Sequence, residues 1–414
     1  MNDVWILLII LFGLMLGGVP IAAAMGLSTI IFLIVFLPDM PLVAVAQKVV
    51  TAPQSFTLVA IPLFILAGKL MNIGGITDSI FMFARAVMGF VRGGLGHVNV
   101  MASIIFSGMS GSAQADVAGL GQIELQAMRK AGYNDRFIVG VTAASSTIGP
   151  IIPPSIPLVI YAVMAEVSTR DLFIAGILPG LLMGLSLMVL IFIMSYFSKF
   201  PVDPFPELKN VFLTFVKAFP ALLAPVIIVG GMIVGLFTPT EAAAVAVLYA
   251  LGLGVSIYGT LQVRDIPVAL IETARITGVA LFIFANAMAF GWLLTILNVP
   301  LAIAAYLMNV TDNPLVVLLI INVVLLIAGM FETPTTILVM LMPVLLPIVD
   351  LFGIDRIHFG IVVVLNLMLG MVTPPIGLNL FILSNVANMK VTEVSLATLP
   401  FLVPLFVALA LVTV

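Results

Sequence analysis

The sequence predicts an all-α polytopic membrane protein that contains an inverted repeat, two re-entrant helical hairpins and two broken helices. Three observations lead to this fold class. Hydrophobic residues make up 63% of the 414-residue chain, and charged residues only 8%. Apolar runs of about 20 residues, the length that crosses a bilayer, recur along the whole chain. Small and polar residues interrupt four segments, in two pairs that match at one constant offset along the chain.

The composition excludes a soluble domain and a transmembrane β-barrel. Roughly 25% of the residues of a soluble domain are charged, and its surface needs them. Barrel strands are short and alternate polar with apolar residues, whereas the apolar runs here are continuous. The net charge of -3 provides no basic surface, and the absence of cysteine excludes disulfides and thiol chemistry. We therefore expect contact with the lipid bilayer and none with nucleic acid.

The apolar runs predict nine membrane spans. The first run, Val4–Leu37, is too long for the apolar part of a signal peptide, and its leader lacks basic residues. We therefore interpret it as a permanent helix. The predicted spans cover residues 4–37, 55–71, 134–165, 172–197, 218–236, 240–258, 277–297, 357–388 and 394–414.

The sequence also matches itself when it is shifted by a constant 221 residues (370 − 149). At this offset Gly149 coincides with Gly370, and Pro153-Pro154 with Pro374-Pro375. Chance explains one such coincidence but not a series at a single offset. Few other side chains agree, so the halves share residues that control the backbone, as expected for one architecture used twice. The predicted repeats cover residues 1–207 and 208–414.

Two further segments, 96–129 and 313–350, are broken near their middle and predict hairpins that enter and leave on the same side of the membrane. Five predicted spans separate them, so they open to opposite faces. Positive charge marks the cytoplasmic side, so the basic residues beside the first hairpin indicate that it opens to the cytoplasm. The second hairpin then opens to the outside. Arg264 also falls on a predicted inner loop, whereas Arg170 and Lys48 fall outside and are exceptions. The other charges used are Arg92, Arg129, Lys130 and Arg136 around the first hairpin, Asp312, Asp350, Asp355 and Arg356 around the second, and Lys199, Lys209 and Lys217 on a predicted inner loop.

The hairpin tips, Ser107–Asp116 and Met330–Thr336, contain polar groups at membrane depth. Irregular backbone survives there only where protein or a water-filled cavity satisfies it. Close helix packing explains small residues, but it does not explain Gln114, Asp116 or Glu332. Ionisable groups inside a membrane are usually functional, so we predict that both tips are functional.

Proline interrupts two of the predicted spans near the bilayer centre. Pro150, Pro153 and Pro154 unwind the helix 134–165, and Pro374-Pro375 unwinds the helix 357–388, because proline lacks the amide donor. A proline kink that binds nothing is the alternative. Freed carbonyls and hydroxyls are hard ligands suited to an alkali cation, whereas helix N-termini suit an anion.

These four motifs define the candidate site, with an anion between the two tips. They contain no lysine or arginine, so amides, hydroxyls and bound cations are expected to hold the anion. The candidate anion-binding residues are Ser112, Asp116, Pro154, Ser155, Thr333, Thr336 and Asn379. The candidate cation-binding residues are Ser110, Ser112, Ser145, Thr147, Gly149, Glu332, Thr333, Gly370, Val372 and Thr373.

Other polar residues point away from catalysis. Thr238–Glu241 has the pattern of a helix start, so we expect Glu241 to cap a helix. His97 and His358 lie near predicted helix ends, where an interfacial role is expected. Gly68-Lys69 lacks the upstream glycine and the Ser/Thr of a phosphate-binding loop, so we expect an ion gradient rather than ATP to supply energy.

The motifs resemble one family, the large membrane subunit of tripartite ATP-independent periplasmic (TRAP) transporters, the DctM-like proteins. The resemblance spans nearly the whole chain in order. Two stretches depart from the family pattern, Ile123–Gln126 and Phe331–Thr336, and they bear on the identity of the substrate. The matching stretches are Gly111–Asp116, Arg129–Tyr133, Ser146–Ser155, Phe237–Ala243 and Thr373–Asn379.

This resemblance implies an elevator transporter in the bacterial inner membrane, with a moving core and a static scaffold. It implies a small organic anion as substrate, such as a C4-dicarboxylate or sialic acid. It also implies sodium coupling, with two or more ions, and two partners: a small four-helix membrane subunit and a soluble periplasmic substrate-binding protein.

Three other functions are weighed against this one. A stand-alone sodium–dicarboxylate symporter of related fold would need no binding protein, so co-purification with a soluble partner separates the two. An ion channel is disfavoured by the inverted hairpins, and saturable, slow uptake would exclude it. An intramembrane enzyme is disfavoured because the sequence contains no catalytic constellation.

Overall fold

Helices make up the regular structure of the described chain, which confirms an all-α polytopic membrane protein. The computed structural model describes residues 2–198 and 200–414, so the expected position of Lys199 on an inner loop lies outside the described residues. Within these ranges, eight helices are long and apolar enough to cross a membrane. The helices are α1 (Asn2–Leu16), α2 (Ile21–Phe36), α3 (Val43–Thr51), α4 (Ala60–Ile73), α5 (Ile76–Met88), α6 (Gly94–Ser110), α7 (Ala113–Ala118), α8 (Leu120–Lys130), α9 (Asp135–Ser146), α10 (Ile156–Ala165), α11 (Thr169–Phe197), α12 (Leu208–Val234), α13 (Pro239–Gly252), α14 (Asp265–Ile296), α15 (Val299–Val310), α16 (Pro314–Phe331), α17 (Pro334–Leu351), α18 (Arg356–Gly370), α19 (Leu378–Ala387) and α20 (Val391–Thr413).

The first apolar run is two helices, so the prediction of one helix over Val4–Leu37 is wrong. The chain leaves α1 after Leu16 and enters α2 at Ile21. Gly18 has a φ of +85°, which glycine adopts without steric cost. Pro20 follows and fits the position just before a helix, because it has no amide to leave unpaired. The two helices pack against each other.

Three helices were missed because they lack a long apolar run. α3 and α15 are short, and α5 carries Asp78 and Arg85 within 13 residues. Arg85 donates to Asp203 from Nε at 2.7 Å and from Nη2 at 3.0 Å. This ion pair connects α5 to the segment before α12. One of the two charges that prevented the prediction of α5 therefore holds the helix in place.

Two spans begin earlier than predicted, because charged turns precede their apolar parts. α12 begins at Leu208 rather than near 218, so Lys209 and Lys217 lie on a helix and not on the expected loop. α14 begins at Asp265 rather than near 277, which places Arg275 inside a membrane helix.

Both hairpins and both broken helices are present, close to their predicted bounds. α6 and the α7–α8 arm form the first hairpin, and α16 and α17 the second. α9 and α10 are separated by the break 147–155, and α18 and α19 by the break 371–377. Glycine and proline determine these interruptions, as the sequence indicated. The Pro153-Pro154 and Pro374-Pro375 bonds are both cis.

The two halves exchange contacts in a reciprocal pattern. α9 packs against α20, and its counterpart α18 packs against α11. α10 packs against α17, and its counterpart α19 packs against α7 and α8. Each broken helix therefore contacts the hairpin of the other half. The boundary between the predicted repeats falls at Glu207, which precedes α12; the opposite membrane orientation of the halves stays a prediction.

An ion pair spans the turn between each hairpin and the broken helix that follows it, with its charges exchanged between the halves. Arg129 Nε donates to Asp135 Oδ1 at 2.7 Å, and Arg356 Nη2 donates to Asp350 Oδ2 at 2.6 Å. At the offset of the repeat, Asp350 coincides with Arg129 and Arg356 with Asp135. Each arginine also donates to the last carbonyl of a broken helix in the other half. The acceptors are Ala387 for Arg129 and Ala165 for Arg356, both at 2.7 Å.

Candidate functional site

The first hairpin tip rests on the break of its own half. α6 ends at Ser110, and Gly111 turns the chain with a φ of +57°. A Cβ on Gly111 would lie 2.5 Å from the Pro154 carbonyl oxygen, so only glycine fits between tip and break. Ser112 then caps α7 by accepting from the Ala115 amide at 3.3 Å. The carbonyl of Ser112 lies beside Gly149, whose hypothetical Cβ would be 3.7 Å away.

The second tip is held against the second break in a similar way. The backbones of α16 and α18 meet at Gly329 and Gly370, where a Cβ on Gly370 would lie 2.6 Å from the Gly329 Cα. The Gly377 amide donates to the Met330 carbonyl at 3.0 Å. Thr333 caps α17 by accepting from the Thr336 amide at 3.3 Å. The N-terminus of an apolar, 18-residue helix is thereby fixed at the tip.

The two breaks meet at a buried amide. Asn379 Nδ2 donates to the Ser146 hydroxyl at 3.2 Å, which joins the start of α19 to the end of α9. Asn379 is fully buried, and its Oδ1 lacks a hydrogen-bond partner within the described ranges. Ser155 caps α10 by accepting from the Leu158 amide at 3.2 Å and donates to the Pro150 carbonyl. All four sequence motifs therefore lie together in the fold.

A cavity of about 750 Å³, here called the tip cavity, opens between the two hairpin tips. This volume suits a small organic molecule. The lining is mostly apolar, with polar groups from both tips. Ser110 is 2% exposed, and its hydroxyl has no hydrogen-bond partner in the described chain. The predicted site residues that line the cavity are Ser110, Ser112, Glu332, Thr333 and Thr336.

The remaining candidates lie behind the cavity wall. Pro154, Gly149 and Gly370 support the tips from behind, as described above. Ser145 and Asp116 point into a buried polar cluster, and Thr147 and Thr373 donate to carbonyls of the helices that precede them, at 2.6 Å in each case. The candidates outside the lining are Asp116, Pro154, Ser155, Asn379, Ser145, Thr147, Gly149, Gly370, Val372 and Thr373.

The buried polar cluster connects the first hairpin to α9. Asn99 donates to Glu124 Oε2 at 2.6 Å and to the Thr142 hydroxyl at 2.8 Å, and Ser145 donates to Asn99 Oδ1 at 2.7 Å. Sequence reasoning missed this cluster, because its members lie on four helices. The second half has a comparable link, in which Asn366 donates to Asn322 Oδ1 at 2.8 Å. At the offset of the repeat, Asn366 coincides with Ser145.

Asp116 shares the cluster with a second carboxyl group, that of Glu124. Both side chains are buried, and Ser103 donates to Asp116 Oδ1 at 3.4 Å. Asp116 does not line the tip cavity, so an anion in that cavity would not touch it in this arrangement.

Two cationic side chains line the tip cavity, although none occurs in the four motifs. Lys69 on α4 pairs with Glu272 on α14, and Arg275 follows Glu272 by one helical turn. The signal that could have revealed them was the charge itself, because a lysine inside a predicted span is costly unless it serves a function. Arg275 was overlooked because α14 was predicted to begin after it. The expectation that only amides, hydroxyls and bound cations would hold an anion therefore does not fit the lining of this cavity.

Comparison with known proteins gives one consistent match. Residues 8–414 fit the family described as "Tripartite ATP-independent periplasmic transporter, DctM component". The sialic acid TRAP transporter large permease protein SiaM of Vibrio cholerae is 44% identical over 402 residues, 97% of this chain and 94% of that protein. The C4-dicarboxylate TRAP transporter large permease protein DctM of Pseudomonas aeruginosa is 42% identical over 390 residues, 94% and 91% of the two chains.

The fold also has a counterpart among solved structures. The crystal structure of the Alcanivorax borkumensis YdaH transporter superimposes with a TM-score of 0.62 at 15% identity and covers 89% of this chain and 86% of that one. At this identity the likeness concerns the fold alone.

Proposed function

Because this chain belongs to the DctM family, the large permease subunits of TRAP transporters, we propose that it carries a small carboxylate across the bacterial inner membrane through the tip cavity. It is a multi-pass inner-membrane protein and not an enzyme. The observation that carries the proposal is the cavity itself, since its polar lining comes from both hairpin tips. Large permease subunits of this kind transport organic acids.

The substrate is a carboxylate of the size of a C4-dicarboxylate or sialic acid. Related permeases are named for these two substrates. Thr333, Thr335 and Thr336, at the N-terminus of α17, line the cavity. A helix N-terminus carries partial positive charge, which stabilises an anion by up to about 2 kcal/mol where it is partly buried. Ser112, on the opposite tip, supplies a further hydroxyl.

Sodium ions drive the transport. One ion would lie between Ser110, Ser112 and the break at Gly149, and a second between the Glu332-Thr333 tip and the break that follows Gly370. The partnerless, buried hydroxyl of Ser110 supports the first site, because a hard cation prefers oxygen ligands. Bound sodium would supply positive charge beside the substrate carboxylate and so couple the two binding events.

Transport proceeds by an elevator movement of a core against a scaffold. The core comprises α6–α11 and α16–α20, whose hairpins and broken helices interlock across the halves. The scaffold comprises α1–α5 and α12–α15, in which α4 packs on α13, α12 on α5 and α14 on α2. The tip cavity lies between the two bodies, with Lys69 and Arg275 on the scaffold wall and the tips on the core wall.

A small four-helix membrane subunit and a soluble periplasmic binding protein complete the transporter. TRAP large permease subunits work with two such partners, and the exposed apolar faces of the scaffold leave room for a membrane subunit. The binding protein would supply the affinity that a cavity of hydroxyls and amides lacks.

Uptake into proteoliposomes tests the proposal. The complex is reconstituted with the small subunit, and substrate is presented on its binding protein at fixed pH. We expect accumulation to fall more than tenfold when potassium or choline replaces sodium. Undiminished uptake would contradict sodium coupling and direct attention to protons, through Asp116 or Glu332. Unchanged uptake without the binding protein would favour the stand-alone symporter.

A further inference from the structure

The scaffold side of the tip cavity carries positively charged side chains that belong to neither hairpin tip. Lys69 on α4 and Arg275 on α14 both line the cavity. Lys69 is paired with Glu272, whereas Arg275 takes part in none of the ion pairs found among residues 2–198 and 200–414. Glu332 on the core is the acidic residue of the described lining. Glu272, just outside the lining, neutralises Lys69, so Arg275 is the cation of the described lining that has no ion-pair partner.

Arg275 lies just before the uncharged part of α14, at its predicted cytoplasmic end. The 21 residues from Ile276 to Ile296 (296 − 276 + 1) contain no charged residue and are long enough by themselves to cross the bilayer. A guanidinium at this edge of the hydrocarbon is stabilised where it faces water or a partner. Its side chain is exposed to the cavity, so the cavity provides that environment, and an anion in it would find an arginine without an acidic partner.

Both cations lie near the predicted cytoplasmic ends of their helices. The end of α4 approaches the segment after α13: a Cβ on Gly74 would lie 3.3 Å from the Gly254 Cα, and one on Gly75 3.3 Å from Thr260. That segment leads to Arg264, which the distribution of positive charge assigns to the cytoplasm. Lys69 precedes the end of α4 by about one helical turn. Gly68, next to Lys69, packs on the first tip, since its hypothetical Cβ would lie 3.2 Å from the Ser110 Cα. Lys69 and Arg275, here called the cationic wall, therefore face the first tip across the cavity, near the predicted cytoplasmic end of α4.

Glu272 organises the wall on α14. Residues three apart on a helix are neighbours on one face, so Glu272 and Arg275 project together while Glu272 holds Lys69 across the gap between α4 and α14. Arginine binds a carboxylate through two parallel N–H donors, which a lysine cannot match. The fixed Lys69–Glu272 pair thus leaves Arg275 as the group free to take an anion.

We propose that Arg275, with Lys69 beside it, forms a second anion-binding site on the scaffold, which receives the carboxylate of the substrate as it leaves the hairpin tips toward the cytoplasm. We call this the release site. It rests on the proposed transport of a carboxylate and adds a step to it. Because the site belongs to the scaffold, it stays in place while the core moves, so the anion meets it in the inward-facing state only. The site is open to water, which keeps its affinity low enough for release.

Local electrostatics test the release site without any transport assay. Val279 lines the cavity one turn beyond Arg275, and the chain has no native cysteine. In the complex carrying V279C, we expect an anionic methanethiosulfonate to react faster than a cationic one, and R275Q to reduce that preference at least threefold. R264Q, on the predicted cytoplasmic loop, is the matched control and should leave the preference unchanged. An unchanged preference in R275Q would overturn the proposal.

Protection by ligand distinguishes substrate from lipid. Succinate and sialic acid are added to the V279C complex in vesicles of phosphatidylcholine, with or without phosphatidylglycerol. Slower labelling with either acid, lost in R275Q and partly retained in R275K, which keeps the charge but not the two parallel donors, supports the release site. Protection by phosphatidylglycerol alone would assign Arg275 to lipid and overturn the proposal.

Exchange kinetics complete the test in the transporting complex. We expect R275Q to raise the cytoplasmic substrate concentration for half-maximal exchange three- to tenfold and to change the periplasmic KM less than twofold. Equal changes on both sides would place Arg275 at the tips or in the scaffold structure and overturn the release site. If wild-type protein carries neither acid although the labelling preference is present, the transport proposal fails and the cationic wall stands by itself.

Discussion

The contact between Gly329 and Gly370 offers a direct test of how the second tip is held. A Cβ on Gly370 would lie 2.6 Å from both the Cα and the carbonyl carbon of Gly329, and ordinary contact begins near 3.4 Å. The substitution Gly370→Ala must therefore move α16 and α18 apart by about 0.8 Å (3.4 − 2.6). Backbone atoms form this contact, so no side chain can rotate to relieve it.

The consequences of G370A reach both stability and transport. Overpacking of this kind typically costs about 1–3 kcal/mol. The same displacement would lengthen the 3.0 Å hydrogen bond from Gly377 to Met330 and shift the tip that follows. We expect a Tm several degrees lower and, at temperatures where the protein stays folded, at least a tenfold loss of sodium-dependent uptake.

A matched control is available on the scaffold. Gly278 on α14 has nothing within 4 Å of a hypothetical Cβ, so Gly278→Ala should leave the Tm and uptake close to those of the wild type. Thermal unfolding in detergent and uptake in proteoliposomes measure the two effects separately. Wild-type values of both in G370A would refute the view that this contact sets the position of the second tip.

Three further predictions follow from the fold. Single cysteines replacing Gly94 and Asn313 should differ in their reaction with an impermeant external thiol reagent: Asn313→Cys reacts and Gly94→Cys does not, and equal labelling would refute the inverted repeat. Ser112→Leu and Thr333→Leu should fill the tip cavity from opposite sides and abolish uptake at normal membrane insertion, whereas wild-type rates in both would place the substrate elsewhere. Arg356→Gln removes the ion pair with Asp350 and the hydrogen bond to the last carbonyl of α10, so the Tm should fall by an amount equivalent to about 1–2 kcal/mol, which is the roughly 1.5–3 kcal/mol of hydrogen bonds to charged groups reduced for the exposure of the pair; an unchanged Tm would show that these contacts are not stabilising.

The apolar composition by itself determined that the chain lies in a membrane and is helical. With only 8% charged residues, the chain has too little polar surface for a soluble protein, so its apolar surface must face lipid. Glycine and proline then determined where the helices break, because they act on the backbone of their own segment. The hairpin tips and the breaks near Gly149 and Gly370 were therefore found close to their observed positions. The helix α5 was missed because charged residues interrupt its apolar run, and the boundary between α1 and α2 was missed because the apolar run continues across it.

Only the tertiary structure decided which candidate residues face the tip cavity. Ser110 and Thr333 line it, while Asp116 and Asn379 are turned away into buried contacts with Ser103 and Ser146. The sequence marks a polar residue in a broken helix but not the direction of its side chain. That direction depends on the rotation of each helix in the packed core, which many distant contacts set together.

The cationic wall shows most clearly that the sequence does not reveal contacts between distant residues. Lys69 and Glu272 are 203 residues apart and still form an ion pair, and Arg275 joins them because it shares a helix face with Glu272. Composition and local pattern are short-range properties of the chain, so they predicted the class, the repeat and the breaks. A site assembled from α4, α14 and two hairpin tips depends on long-range packing, and so its charge became visible only once the helices were in place.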